Sequence, residues 1–315
     1  MNKSEIKQVI ITGATSMIGT ELVKQALYQG ISVIAVVREK SLRVGCLGVF
    51  AENPKLRVVE CNIQDYGKLD FDGKSDAFFH LAWENTDITR RDDVYTHTGN
   101  ITYTLDAVNA ARRAGCGVFV DAGSQAEYGI VSEKLRSDTV CNPVSGYGVA
   151  KYASGKMARL IAGQLGIRYC HTRILSTYGV GMDDRTLIIY LIKTLLAGEK
   201  PSLSKCEQMW DFLYVSDTAR AMLAIAENGK DGGVYPLGSG VARPLREYVE
   251  SIRDIVDPAM EPGFGEKEYY PHQPMYLCAD ITELQSDTGF EPTVSFKEGV
   301  RMTVEWVKAQ SKGRV

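Results

Sequence analysis

Val9-Ile10-Ile11-Thr12-Gly13-Ala14-Thr15-Ser16-Met17-Ile18-Gly19 decides how the rest of the chain is read. Four β-branched residues run into a turn of small residues, and the turn opens into a helical pattern. Ile18, Leu22, Val23, Ala26 and Leu27 recur at helical spacing, and Gly30 supplies the stop. Apolar runs return at Ser32–Arg38, Leu56–Cys61, Ala77–Leu81, Val118–Ala122 and Tyr169–Ile174, separated by helical stretches. This alternation predicts an α/β fold, a Rossmann-type doubly wound parallel sheet. Past Leu175 it loosens, and Gly, Pro and aromatic residues gather around Gly198–Trp210 and Pro258–Met275. We therefore expect residues 1–175 to form a dinucleotide-binding domain and 176–315 mainly a smaller C-terminal substrate-binding lobe, with 210–226 returning to the first domain.

A small-residue turn between a strand and a helix aims backbone N–H groups and the positive helix end at a pyrophosphate. Gly13, Thr15, Ser16, Met17, Ile18 and Gly19 are the candidate contacts. Gly13 allows the tight turn and Gly19 close helix–sheet packing, while Ser16 stands at the middle position of the usual three-glycine pattern. The second strand ends in Val36-Val37-Arg38-Glu39-Lys40-Ser41. A site selective for NAD would carry an acid at the Val37 position to hold the ribose hydroxyls. Charges at a strand end are most often only solvated, but with the acid missing, Arg38 offers a planar fork for a 2′-phosphate. The expectation is NADP(H), with Arg38 and Ser41 at the phosphate and Asn62 and Ile63 near the adenine.

Tyr147 and Lys151 lie four residues apart, so on a helix they share a face. A neighbouring ammonium favours the phenolate and makes the tyrosine a usable acid or base. Ser124 follows the fifth strand in Gly123-Ser124-Gln125-Ala126-Glu127-Tyr128-Gly129, at the carboxyl edge where open α/β sheets bind ligands. Tyr-Lys pairs at this spacing also occur by chance on solvated helices, so the weight rests on the three residues together.

These pieces resemble the extended short-chain dehydrogenase/reductases, the group of nucleotide-sugar epimerases, dehydratases and reductases. The resemblance covers nearly the whole chain. It includes the phosphate turn, His80-Leu81-Ala82, Asn100, Ser124 before Tyr128-Gly129, Tyr147-x-x-x-Lys151, Trp210 to Asp217, and Gly289-Phe290-Glu291-Pro292 through Trp306. It implies that Tyr147 exchanges the proton, Lys151 holds the nicotinamide ribose and tunes Tyr147, and Ser124 orients the sugar oxygen. Leu81, Ala82 and Trp83 would line the cofactor, and Asn100 would support the wall of the site. Asn100 as a helix cap, His80 as a satisfied core histidine and Trp83 as a packing aromatic are the plainer readings.

Dehydratases of this group place an Asp-Glu pair after the active-site hydroxyl, where this chain has Gln125 and Ala126. Glu127 is one residue late, which on a period-two segment turns it to the other face. Dehydration is therefore not expected. The Gly-Ser-Gln-Ala-Glu-Tyr-Gly run is similar to that of the CDP-abequose synthase group, which implies NADPH-dependent reduction of a 4-keto deoxysugar on a nucleotide. A 4-epimerase and a non-catalytic NADP-binding sensor are the alternatives. Many relatives grip the diphosphate with arginines where this chain has Trp210 and Tyr270. The substrate side would then be Ser124, Gln125, Tyr147, Ser176, Arg185, Trp210 and Tyr270. Either Arg185, Lys193 or Arg243 holds the diphosphate, or the substrate is not a nucleotide sugar.

Bulk properties narrow the partners. A formal charge of −3 gives no electrostatic footprint for nucleic acid or an anionic membrane. No apolar run reaches a membrane span and Met1 to Lys7 is polar, so a cytoplasmic enzyme is expected. The seven cysteines are scattered without CxxC spacing, which predicts buried free thiols and no metal site. By the family resemblance, the helices containing Asn100–Ala114 and Tyr147–Leu165 would pair two copies into a homodimer.

Overall fold

A computed structural model describes residues 5–41, 43–86, 88–269 and 273–312. The first part of the chain runs β1 (Gln8–Thr12), α1 (Met17–Tyr28), β2 (Ser32–Val37), β3 (Leu56–Glu60), β4 (Ala77–His80), α2 (Val94–Arg113), β5 (Val118–Ser124), α3 (Gly146–Gln164) and β6 (Arg168–Ile174). Each strand expected from the sequence is present, with ends moved by a residue or two. After β6 come β7 (Ser176–Tyr178), α4 (Leu187–Leu196), β8 (Met209–Trp210), β9 (Phe212–Tyr214) and α5 (Val215–Asn228). The chain closes with β10 (Gly233–Leu237), β11 (Arg243–Pro244), α6 (Leu245–Val256), α7 (Thr282–Thr288) and α8 (Phe296–Lys312).

Seven parallel strands form the central sheet in the order β10-β6-β5-β4-β1-β2-β3. The order reverses beside β1, which pairs with β2 on one side and β4 on the other, so a crevice opens at their carboxyl ends. Period-two alternation sends Val9, Ile11, Val33 and Ala35 to one face and Ile10, Ile34 and Val36 to the other. On the first face Leu22, Val23, Ala26, Met222 and Ile225 of α1 and α5 complete one core. On the second, Ala107, Ala111, Ala158 and Ala162 let α2 and α3 sit close to Phe78, Phe119 and Tyr169. Those three rings stack across β4, β5 and β6 with centroids 5.3 and 6.1 Å apart.

The sequence reading returned 210–226 to the sheet domain. Outside that range, β10 pairs in parallel with β6 from Gly233↔Cys170 to Leu237↔Ile174. Its Gly-Val-Tyr-Pro-Leu composition hid it, because Pro236 argues against a strand, yet β10 is an edge strand where a missing N–H is tolerated. A third apolar cluster joins α4, α6 and α8 through Ile188, Ile192, Leu245, Val249, Val300 and Val304. Four cysteines are buried as expected, Cys116, Cys170, Cys206 and Cys278, whereas Cys46, Cys61 and Cys141 are only partly so.

Candidate active site

Ser16 has a use that the glycine pattern obscures. It is the N-cap of α1, its Oγ accepting the Gly19 N–H at 3.0 Å. The flanking glycines are steric necessities. Gly13 has φ +67°, and a Cβ there would meet the Ala82 nitrogen at 2.8 Å; at Gly19 a Cβ would lie 2.2 Å from the Gly13 oxygen. A cleft of about 540 Å³ opens over this turn, lined by Gly13, Thr15, Ser16, Asn62, Ile63 and Leu81 through Thr86, with Arg38, Arg43 and Arg185 among its walls. A main-chain cradle at a helix N-terminus, facing guanidinium groups, fits a dinucleotide.

Not every expected cofactor residue faces that cleft. The side chains of Met17 and Ile18 pack against the apolar cluster of α4, α6 and α8 while their backbones begin α1. Ser41 is buried, its hydroxyl receives the Arg43 N–H, and it is not among the lining residues. Arg43 lines the cleft instead and donates to the Gly181 carbonyl at 2.9 Å. Sequence reasoning missed Arg43, although a second arginine five residues past Arg38 was there to be counted. Arg185, expected on the substrate side, lines the dinucleotide cleft and forks onto Asp183.

Beyond Trp83 lie the catalytic candidates. Ser145 caps α3 by accepting the Gly148 N–H at 3.1 Å, which sets Tyr147 and Lys151 one turn apart near the end of β5. Burial raises the Tyr147 phenol above its ordinary value of 10, opposed by a hydrogen bond with Ser124 and by Arg91, and helped by Glu127. Arg91 is a cation beside this phenol that the sequence reading did not name. Its guanidinium carbon is 5.4 Å from the ring centroid, and its carbonyl accepts the Tyr147 N–H at 2.7 Å. The Lys151 ammonium donates to the Ala122 carbonyl at 2.6 Å and sits 3.8 Å over the Trp83 ring. Burial pulls it down to about 8 against the pull of Asp121 and Glu127.

Asn100 is fully buried, and its amide takes the Glu84 N–H at 2.8 Å and donates to the Glu84 carbonyl at 3.1 Å. It pins the segment after β4. Within that segment the Trp83 indole donates to His97 Nδ1 at 3.3 Å, and both rings stand edge-on to Tyr147. His97 was not anticipated from sequence. His80 is a core histidine between Thr12 and Thr104, and burial lowers it to about 4.

Glu127 turns away from the substrate side for a reason other than strand alternation. Gln125–Glu127 is a 3-10 turn, closed by a capping box in which Glu127 accepts the Ser124 N–H at 2.8 Å. Its carboxylate also receives Arg173 Nε at 2.8 Å and His171 Nε2 at 3.0 Å. On the substrate side, Gln125 is half-buried beside Ser124. Trp210 packs partly into the core and donates to Ser176 Oγ at 2.7 Å, so these two expected contacts occupy one another. Tyr270 lies outside the described residues. Lys193 pairs with Asp184 at 2.6 Å, whereas Arg243 is exposed directly across a two-residue antiparallel ladder from Trp210.

A phosphate cradle at the β1–β4 crevice leading to a Ser-Tyr-Lys set is the layout of a dinucleotide-dependent enzyme acting on a bound hydroxyl or ketone. The chain belongs to the NAD dependent epimerase/dehydratase family, whose model matches residues 9–238. It is 27% identical over 314 residues to dTDP-glucose 4,6-dehydratase of Streptomyces griseus, covering 95% of this chain and 93% of that one. Among solved structures it is similar to UDP-N-acetylglucosamine 4-epimerase of Methanobrevibacter ruminantium in complex with UDP-N-acetylmuramic acid, with a TM-score of 0.87 and 23% identity, covering 98% of this chain and 100% of that one. It is also similar to UDP-glucuronic acid 4-epimerase of Bacillus cereus in complex with NAD, with a TM-score of 0.84 and 22% identity over 97% and 98% of the two chains.

Proposed function

We propose that the protein reduces the 4-keto group of a nucleotide-linked deoxysugar with NADPH. The observation that carries the reading is the end of β2. Val37 is buried where an NAD-selective site would hold an acid, and Arg38 and Arg43 line the cleft beside it. Burial raises the Tyr147 phenol, and in the reductive direction Tyr147 gives its proton to the sugar alkoxide. The bound dinucleotide supplies the hydride. Ser124 donates to the sugar oxygen and stabilises the charge that develops there, and Lys151 is placed to hold the ribose beside Trp83. Glu127 is buried and held by Ser124, His171 and Arg173, turned away from the substrate side, which argues against its moving protons in a dehydration. The lobe formed by 176–210 and the segments after β10 would receive the nucleotide, with Arg243 across from Trp210 as the cation for its diphosphate.

A 4-epimerase is the second reading, favoured by the solved 4-epimerases that share this fold. The decisive assay follows NADPH oxidation with nucleotide-linked 4-keto sugars, alongside interconversion of UDP-glucose and UDP-galactose. Reduction that Tyr147→Phe abolishes, with NADPH still bound, is expected; interconversion without net NADPH consumption would replace the reductase by the epimerase. Binding of NADPH with neither activity would favour the sensor alternative.

We propose a homodimer through α2 and α3. These helices leave Tyr95 at 88%, Leu160 at 68% and Val149 at 51% exposure, an apolar face suited to a second copy. Sedimentation as a monomer at micromolar concentration would contradict it. No helix among the described residues is long and apolar enough to cross a membrane, and we propose a cytoplasmic setting.

A further inference from the structure

Behind Ser124 lies a set of ionisable side chains that the proposed chemistry does not use. The β5–β6 register places Asp121 opposite His171, and Arg173 follows two residues on, directed to the same face. Glu127 folds back from the 3-10 turn to meet them. His171 Nδ1 lies 3.1 Å from Asp121 Oδ2, and Nε2 lies 3.0 Å from both Glu127 oxygens. An imidazole facing a carboxylate at each nitrogen must donate from both, so the geometry is that of an imidazolium. None of the four side chains is more than 5% exposed. With His171 protonated, Asp121, Glu127, His171 and Arg173 sum to zero charge, and each carboxylate has a donor from the ring.

The neighbours close this cluster on every side. From β6, the Tyr169 phenol donates to Asp121 Oδ2 at 2.7 Å and lies 3.1 Å from His171 Nδ1. From α3, Gly155 presses on the ring so closely that a Cβ would come within 2.6 Å of it, and Tyr152, Lys156 and Arg159 line a small adjoining cavity. Lys151 acts on Asp121 from above, as does His80 from β4, and Tyr128 stacks under Arg173 at 4.4 Å. Gly232, just before β10, and Val234 within it add only uncharged groups to this cavity. Burial by itself would lower His171, and the two carboxylates overcome it, holding the ring up at about 9.

We propose that His171 is a positioning residue for the reaction, an imidazolium that ties together the two carboxylates holding the catalytic groups. Glu127 fixes the Ser124 main chain through its N–H, and Asp121 supplies the field in which Lys151 keeps its charge. Loss of the His171 proton leaves the ring one N–H for two carboxylates, which breaks the tie between Asp121 and Glu127 and loosens the support of the catalytic groups. The inference rests on Ser124, Tyr147 and Lys151 being the catalytic set proposed above.

Two measurements test it. Nitrogen NMR of histidine-labelled wild-type protein, with the signal assigned by His171→Gln, should show the doubly protonated ring persisting above pH 8. A neutral ring at pH 7.5 overturns the proposal, and this arm needs no substrate. In turnover, His171→Gln and Glu127→Gln should each lower kcat by about tenfold or more while the dinucleotide Kd stays within about twofold, a split that general unfolding does not produce. Unchanged kcat in a folded His171→Gln protein, or kcat and Kd failing together, overturns it. If the wild type turns over no nucleotide sugar, that counts against the proposed function alone, and the NMR result still decides the state of His171.

Discussion

Replacing Arg38 by alanine separates the dinucleotides. Arg38 stands at the end of β2 in the cleft lining, exposed, with Arg43 and Arg185 also in that lining. A charge-assisted contact to a phosphate is worth roughly 1.5–3 kcal/mol, and an exposed one belongs at the low end. At ~1.4 kcal/mol per decade, NADPH affinity should fall about tenfold in the variant. NADH, which lacks the 2′-phosphate, should bind both proteins alike. Salt adds a second check, because the Debye length shrinks from about 10 Å at 0.1 M to about 3 Å at 1 M and the wild-type preference should shrink with it. Calorimetry with both cofactors on both proteins at two salt concentrations gives all eight values. Equal binding of NADPH and NADH by the wild type, or an equal loss of both in the variant, would refute the reasoning and put the 4-epimerase first.

Gly19→Ala sets a methyl 2.2 Å from the Gly13 oxygen and 2.9 Å from the Ala14 Cα, both main chain, so the turn must open. Dinucleotide binding should weaken by at least about tenfold, while far-ultraviolet circular dichroism stays that of the wild type. Asp211 is fully buried and accepts from Ser239 N and Oγ, Gly240 N and Ala279 N at 2.6–3.1 Å. Asp211→Ala orphans those donors and should cost ~3–5 kcal/mol in urea unfolding; a loss below ~1 kcal/mol would show that water replaces the carboxylate. The histidines shape the pH profile of stability. His80, depressed to about 4, contributes stability above pH 6.5 that is lost as pH falls toward 4. His171, raised to about 9, contributes stability below pH 6.5 that is lost as pH rises toward 9. Thermal midpoints should therefore decline on both sides of neutrality, and His171→Gln should flatten only the alkaline side.

The sheet was legible from the sequence because each of its first six strands carries β-branched or aromatic residues between helical stretches. β10 was not, since one proline in five residues outweighs local pattern and only its edge position explains it. Ser124, Tyr147 and Lys151 could be found because their roles demand particular residue types at fixed spacing. Arg91, His97 and His171 could not, because their work depends on which nitrogen faces which partner across different elements. Ser41 and Ser176 were plausible by type and position, yet the fold directs Ser41 to Arg43 and Ser176 to Trp210. Such pairings arise in three dimensions and leave no periodic trace.

Because β10 seals the edge of β6 only after the chain has passed through α4 and α5, a growing polypeptide cannot finish its sheet on the ribosome until Leu237 has emerged. A fragment ending near residue 175 would carry an unpaired β6 edge and the α1 face that α5 normally covers, both prone to self-association. The sheet and the α4–α6–α8 cluster are therefore stitched by the chain itself. Cutting them apart for separate expression should yield aggregates, and the intact protein should melt as one unit.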